Sequence, residues 1–203
     1  MSPPQPRRKP TQARARATVD AILEAAAQVL VDRGFDGAST NRIAEVAGVS
    51  VGTLYQYFPN KDAVFVALIE RHCDEQIALL QAMVGDMVAA PLPTAVRTYV
   101  AALIATHDRD RAVHDAIFRQ AMHLGLPSLQ RIHDGTRAIV RAYLEVHREG
   151  ILPEDLDLAA FLLVSMVEGM IDTAFFVTAP PNREALADEV SRVVLRYLLG
   201  HAD

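Results

Sequence analysis

Cysteine is almost missing from this chain: Cys73 is the only one in 203 residues. A lone thiol forbids an intrachain disulfide, suits a reducing cytoplasm and reads as a small buried hydrophobe. A glycine-rich phosphate loop is also missing, and Ser165 lies in no G-x-S-x-G setting, so the usual frames for phosphoryl transfer and acyl transfer are lacking. β-branched residues nowhere alternate between turn signals, so no strand is expected, and no internal repeat is found. The opening MSPPQPRRKP has basic residues but no apolar run behind them, which excludes a secretory signal there. The longest apolar stretch, 161–179, approaches membrane-spanning length but contains Glu168 and Asp172, both costly near a bilayer centre. It reads as a buried core or interface helix.

Positive charge is in deficit, with a net charge of −5. Its distribution is uneven. Eight basic against six acidic residues leave 1–62 at +2, so the remainder carries −7. The five basic residues before Asp20 have no acid between them. An acidic body with a basic end is consistent with one end facing phosphates. Half the residues are apolar and the length suffices for a full core.

The stretch with most information is STNRIAEVAGVSVGTLYQYFPNKD, residues 39–62. Ser39 is suited to N-cap a short helix whose apolar face is Ile43, Ala44 and Ala47. Gly48 stands where a left-handed residue closes a helix, and Val49 plugs the turn. Ser50 caps a second helix running to Phe58, which Pro59 stops. Helix, glycine-containing turn, helix is the layout of a DNA-binding helix-turn-helix. Leu54 and Phe58 can face inward. Val51, Gly52, Thr53, Tyr55, Gln56 and Tyr57 are left outside, a poor packing surface and a good major-groove reader. Val51 suits a thymine methyl, Gly52 allows close backbone approach, and Thr53 and Gln56 can hydrogen-bond to base edges. Tyr55, Tyr57 and Lys61 suit phosphate oxygens. Thr40, Asn41 and Arg42 in the first turn of the preceding helix, with Ser50, complete the DNA-facing set.

The pattern Thr40-x-x-Ile43-Ala44-x-x-Ala47-Gly48-Val49-Ser50-x-Gly52-Thr53-Leu54-Tyr55-x-Tyr57-Phe58-x-x-Lys61 resembles the N-terminal signature of the tetracycline-repressor (TetR, AcrR-like) family of bacterial transcription regulators. The match covers residues 14–65. Beyond Lys61 the likeness is one of length and helix layout alone.

Taken in order, residues 1–13 form a proline-rich basic arm, either a solvated tail or a contact beside the main DNA site. The DNA-binding domain follows at 14–60, with a first helix over 14–33 that Gly34 ends. Residues 61–203 form a helical effector-binding and dimerisation domain. Asn60 caps a fourth helix predicted to run unbroken to 89, which makes it the lever between the two halves. Prolines and glycines then separate helices at 94–107, 111–124, 128–149, 155–178 and 183–199. The fold class is all-α, about nine helices.

Helix 9 is amphipathic, with Leu186, Val190, Val193, Val194, Tyr197 and Leu198 in one stripe and Asp188 and Glu189 able to pair with Arg192. Helix 8 is apolar on most faces and needs cover from two sides. A second copy of the chain can supply one of them, and the resemblance implies the same dimer of helices. The expected interface is Val167, Ile171 and Ala174 on helix 8 with Val190, Val194, Tyr197 and Leu198 on helix 9.

The resemblance also implies a ligand cavity within helices 4 to 8. The candidate lining is Tyr99, Leu103, Phe118, Met122, Phe161, Met166, Met170 and Phe175, adaptable apolar residues that are equally ordinary core filler. Glu168 and Asp172 are like charges at i, i+4, which destabilise a helix unless compensated. They read either as a solvent-exposed seam or as carboxylates that recognise a cationic group on an apolar ligand.

No metal or cofactor is expected, since His107, His114, His123, His133 and His147 lack the i, i+4 spacing of helical zinc pairs. The dipeptides His107-Asp108, His114-Asp115 and His133-Asp134 hint at a helical metal-dependent hydrolase, but two-residue motifs arise easily by chance. The expected function is therefore a non-enzymatic, cytoplasmic, homodimeric regulator of transcription. It would be a repressor released from a palindromic operator on double-stranded DNA by a small, mostly apolar effector. The alternative is a DNA binder without a ligand.

Overall fold

The computed structural model describes residues 13–109, 111–124, 127–177 and 182–200. All regular structure among them is helical: α1 (Ala13–Gly37), α2 (Thr40–Val46), α3 (Val51–Tyr57), α4 (Lys61–Ala89), α5 (Leu92–Arg109), α6 (Arg111–Leu124), α7 (Pro127–Val146), α8 (Leu156–Asp172) and α9 (Arg183–Leu199). A 3₁₀ turn, Arg148–Gly150, follows α7, and a π turn, Thr173–Val177, follows α8. The all-α expectation therefore holds. The chain divides into two compact units: residues up to Asp74 with Ala112–Leu129, and Glu75–Arg111 with Gln130 onward. The expected arm lies outside the described residues except for Ala13.

The first unit is organised by α1 to α4. Ile22, Leu23, Ala26, Val29 and Leu30 of α1 are buried at the spacing of one helical face. Gly34 breaks the helical dihedrals with φ 66°, a left-handed conformation that glycine alone adopts cheaply, so regular helix ends where the sequence puts it. Phe35 then packs on Phe65 of α4 with ring centroids 5.3 Å apart. Ala63, Val64, Phe65, Leu68 and Ile69 bury the start of α4, and Asn60 Oδ1 accepts from the Ala63 N–H at 2.9 Å. The α4 helix spans 29 residues without interruption, about 43 Å at 1.5 Å per residue.

The second unit is built on α8. Leu156, Ala159, Ala160, Leu163, Val167 and Ile171 face a core with Val96, Val100 and Ile104 of α5, Leu144 of α7, and Ala187, Val190, Val194 and Leu198 of α9. Ala159 and Ala160 are fully buried, and their small side chains let neighbouring helices approach. Asp155 caps α8 by accepting from the N–H groups of Asp157 and Leu158, and Asn182 does the same for α9 through Glu184 and Ala185. The helix predicted over 155–178 stays α-helical only to Asp172. The chain then widens into the π turn, where the Phe175 carbonyl accepts from Arg111 Nη2 at 2.7 Å.

Leu156–Phe175 is long and apolar enough to cross a membrane, yet seven of the α8 residues are buried inside the chain. It is a core helix. On α9 the buried set is Ala187, Val190, Ser191, Val194 and Leu198, while Val193, expected in the apolar stripe, is exposed. Arg192 pairs with Glu189, as expected, but Asp188 pairs with Arg97 of α5.

Candidate nucleic-acid interface and effector cavity

Short-range hydrogen bonds fix the reading pair. Ser39 Oγ accepts from the Arg42 N–H at 3.2 Å and Ser50 Oγ from the Thr53 N–H at 3.0 Å, so both serines cap as their positions predict. Gly48 has φ 66°, and the Val49 N–H donates to the Ala44 carbonyl at 3.0 Å, closing the turn. Leu54 and Phe58 are fully buried, which locks the rotation of α3 and decides what it presents.

The outward face holds Val51, Gly52, Tyr55 and Gln56, all exposed, with Thr53 and Tyr57 half-buried. A Cβ built on Gly52 would meet nothing closer than Ser50 Oγ at 3.8 Å, and the residue has no positive φ. Neither the fold nor the backbone requires glycine there, although alanine is the better helix former. The open space is what close approach of a DNA groove needs. Asn41 and Gln56 are exposed and make no side-chain hydrogen bond among the described residues.

Several of the expected contacts have partners within the chain. Tyr55 Oη shares a hydrogen bond with Thr40 Oγ1 at 3.1 Å, tying α3 to α2. Thr53 Oγ1 lies 2.8 Å from Ser50 Oγ. Lys61 Nζ donates to the Phe35 carbonyl at 2.8 Å and sits 4.2 Å from the centre of the Phe35 ring. Lys61 thus braces the end of α1 against α4, a role invisible in sequence because the partner is 26 positions away. Arg42 is held by Glu45 at 2.9 Å.

In the second unit, a cavity of about 60 Å³ lies among α4, α5, α7, α8 and α9. Its walls include Leu80, Val84 and Met87 of α4, Ile139, Val140 and Tyr143 of α7, and Val164 of α8. Of the described residues expected to bind ligand, Tyr99 alone lines it. Phe175 is buried beside the core, and Leu103, Met166 and Met170 pack against that core. Phe161 is half exposed to solvent, which removes it from any internal site. The side chains of Phe118 and Met122 lie outside the described residues.

Glu168 and Asp172 do not line the cavity. Glu168 Oε2 meets His133 Nδ1 at 2.9 Å, and Asp172 Oδ1 meets His107 Nε2 at 3.4 Å. Each carboxylate is answered by a histidine of a neighbouring helix, so the like-charge pair is compensated without a ligand. These two histidines pair across helices. Burial pushes the Glu168 carboxyl above its ordinary range, with His133 opposing and Asp172 adding to the shift. Burial, then the nearby Glu168 charge, also raises the Tyr99 phenol.

Two family descriptions match this chain. The family described as "Bacterial regulatory proteins, tetR family" matches residues 22–68, and "Tetracyclin repressor-like, C-terminal domain" matches 91–198. The HTH-type transcriptional repressor BepR of Brucella suis is 31% identical over 173 residues, 80% of this chain and 82% of that protein. This chain belongs to the TetR family. The FadR regulator of Bacillus halodurans has the same fold, with a TM-score of 0.75 at 20% identity over 92% of this chain and 97% of that one. So does Bacillus subtilis FadR, solved with stearoyl-CoA: TM-score 0.70, 22% identity, 86% and 96% of the two chains. As a TetR-family member the chain is a DNA-binding regulator of transcription and not an enzyme, which sets aside the hydrolase reading of the His-Asp dipeptides.

Most of the residues expected at a dimer interface lie inside this TetR-family chain. Val167, Ile171, Val190, Val194 and Leu198 are buried in the chain's own core, and Ala174 and Tyr197 pack against it. The exposed apolar residues of α8 are Leu158 at 52%, Phe161 at 51% and Leu162 at 40%, with Val193 of α9 at 40%. The reason is geometric: a helix apolar on two faces gives no sign in sequence of which face its own chain takes. Also missed were Leu80, Val84, Met87, Ile139, Val140 and Tyr143 at the cavity. Their signal was ordinary helical periodicity, which does not mark a void.

Proposed function

We propose that this regulator is a cytoplasmic homodimeric repressor. Two copies of α3 enter successive major grooves of a palindromic operator, and a small, mostly apolar effector in the helical half releases it. The observation that carries the reading is α4. One helix begins beside the reading pair at Lys61 and contributes Leu80, Val84 and Met87 to the cavity wall. Displacing that wall displaces the helix that carries the DNA-binding module, and with it the spacing of the two recognition helices.

The base-reading set is Val51, Gly52, Thr53 and Gln56, with Asn41 beside them. Thr40, Arg42, Ser50, Tyr55 and Tyr57 position the pair and reach phosphates, and Lys61 adds positive charge from its brace. The dimer forms through α8 and α9, by way of Leu158, Phe161, Leu162 and Val193. Covering each large apolar side chain contributes roughly 1.5–3 kcal/mol before the cost of association. BepR is by name a repressor, and the Bacillus subtilis FadR fold accommodates stearoyl-CoA, which supports both the direction of control and an apolar effector.

A second reading, a DNA binder without an effector, draws on the small size of the cavity. Footprinting on the DNA flanking the gene, with and without extracted apolar metabolites, separates the two. Effector-controlled repression requires two symmetric protected half-sites about one helical turn or a multiple apart, lost in the presence of the active extract. Protection at a single half-site, or protection that no extract alters, would defeat it.

A further inference from the structure

We propose that Gln56 reads an adenine, so that each operator half-site carries one A·T pair whose adenine edge meets this side chain in the major groove. This rests on the reading that α3 enters the groove, and it names a base that the groove must present.

The rotation of α3 puts Gln56 at the centre of its outward face. Leu54 and Phe58 are fully buried. At about 3.6 residues per turn, Gln56 lies opposite that pair and one turn beyond Gly52. Its side chain is exposed and makes no hydrogen bond among the described residues. Gly52 has open space where a side chain would stand, so the turn before Gln56 adds no bulk between the helix and the base edges.

The neighbouring polar groups are engaged. Thr53 Oγ1 is held by Ser50 Oγ at 2.8 Å, and Tyr55 Oη by Thr40 Oγ1 at 3.1 Å. The α3 helix carries neither arginine nor lysine. Arg42 of α2 pairs with Glu45, and Lys61 donates to the Phe35 carbonyl. A basic side chain on guanine O6 and N7 is the commonest specific contact in the major groove, and α3 does not offer it. What α3 offers at its centre is an amide.

An amide sets one acceptor, its carbonyl, beside one donor, its NH₂. Adenine presents the complement, an N6 amino donor beside the N7 acceptor, and both bonds form. Guanine presents two acceptors, N7 and O6, so the amide carbonyl would face a lone pair. Cytosine offers a donor alone, and thymine an acceptor beside a methyl group. Each of these leaves half of the amide unmatched in a desolvated interface, which is costly.

The test uses the full chain and the operator found by footprinting, with every base pair replaced in turn and affinity read by fluorescence anisotropy. At one position of each half-site the wild type should prefer adenine about fivefold to a hundredfold, the worth of one bidentate base contact. Gln56→Ala should erase the preference at that position alone. Gln56→Glu should transfer it to cytosine, whose N4 amino group donates to a carboxylate. Placing 7-deazaadenine there, which lacks the N7 acceptor, should weaken the wild type several-fold and leave Gln56→Ala unaffected. The residue is exposed and has no internal bond to lose, so both variants keep the fold. A Gln56→Ala protein that binds all sequences equally more weakly would make Gln56 a phosphate contact and overturn the proposal. So would a guanine or pyrimidine preference at the position Gln56 controls, or 7-deazaadenine bound as well as adenine. Gly52→Phe fills the open space and separates the two levels of the argument. If it abolishes operator binding while Gln56→Ala changes no base preference, α3 lies in the groove and the adenine assignment alone falls. If neither variant alters binding, the assignment of α3 to the groove falls with it.

Discussion

His133 Nδ1 on α7 stands 2.9 Å from Glu168 Oε2 on α8. The contact joins two walls of the helical unit and places an acid with a raised pKa beside a basic ring. Because burial raises Glu168 above its ordinary value of 4.5, the folded state holds the Glu168 proton more tightly than the unfolded chain does. Stability from this group is then present at pH below about 4.5 and is lost as pH rises through the folded pKa. Melting temperature followed from pH 4 upward should show that decline in the wild type and a flatter profile in Glu168→Gln. Parallel profiles would show that Glu168 titrates normally.

Gly52 offers a test in which stability and function move in opposite directions. Its Cβ position is open, and alanine is the better helix former by up to roughly 1 kcal/mol. Gly52→Ala should therefore raise the melting temperature while weakening operator binding. If binding is unaffected, the groove does not approach this backbone.

Sequence preference should reside in Val51 and Gln56. Substitution at either should change which operator variants are preferred, by about 1–3 kcal/mol per base contact. Tyr57→Phe should instead weaken binding to all sequences and flatten its salt dependence. Competition assays against an operator library distinguish the two patterns, and an unchanged preference in the Val51 and Gln56 variants would reassign the reading face.

Lys61→Ala should lose stability as well as DNA affinity, because the ammonium braces the Phe35 carbonyl and ring. A hydrogen bond from a charged donor contributes about 1.5–3 kcal/mol. Urea unfolding checks the first effect and anisotropy at several salt concentrations the second. Weakened DNA binding with unaltered stability would mean that the brace is idle.

Surface and core positions of α8 and α9 should behave differently. Phe161→Glu, at an exposed site, should give a folded, helical monomer that no longer binds the operator. Val190→Glu, inside the chain's own core, should unfold the protein, since an unpaired buried charge is among the costliest substitutions. Light scattering with circular dichroism reads both. A Phe161→Glu protein that remains dimeric would move the interface elsewhere.

The sequence by itself determined the elements. Apolar spacing at the helical period predicted the helices, and Ser39, Ser50 and Asn60 marked starts that the structure confirms by hydrogen bonds to their side chains. Gly34 and Gly48 marked breaks, and both adopt φ 66°. The outward face of α3 was legible as well, because Leu54 and Phe58 leave one way for a short helix to turn. All of these are local signals, set by residues within one or two turns of each other. Only the tertiary structure decided how apolar faces were shared out. Val167, Ile171, Val190, Val194 and Leu198 went to the core, and Leu158, Phe161 and Leu162 to the surface. It also gave Lys61 to Phe35, and His133 and His107 to Glu168 and Asp172. Helical spacing states which residues share a face but carries no information about what that face meets, and each of these outcomes depends on a partner many turns away.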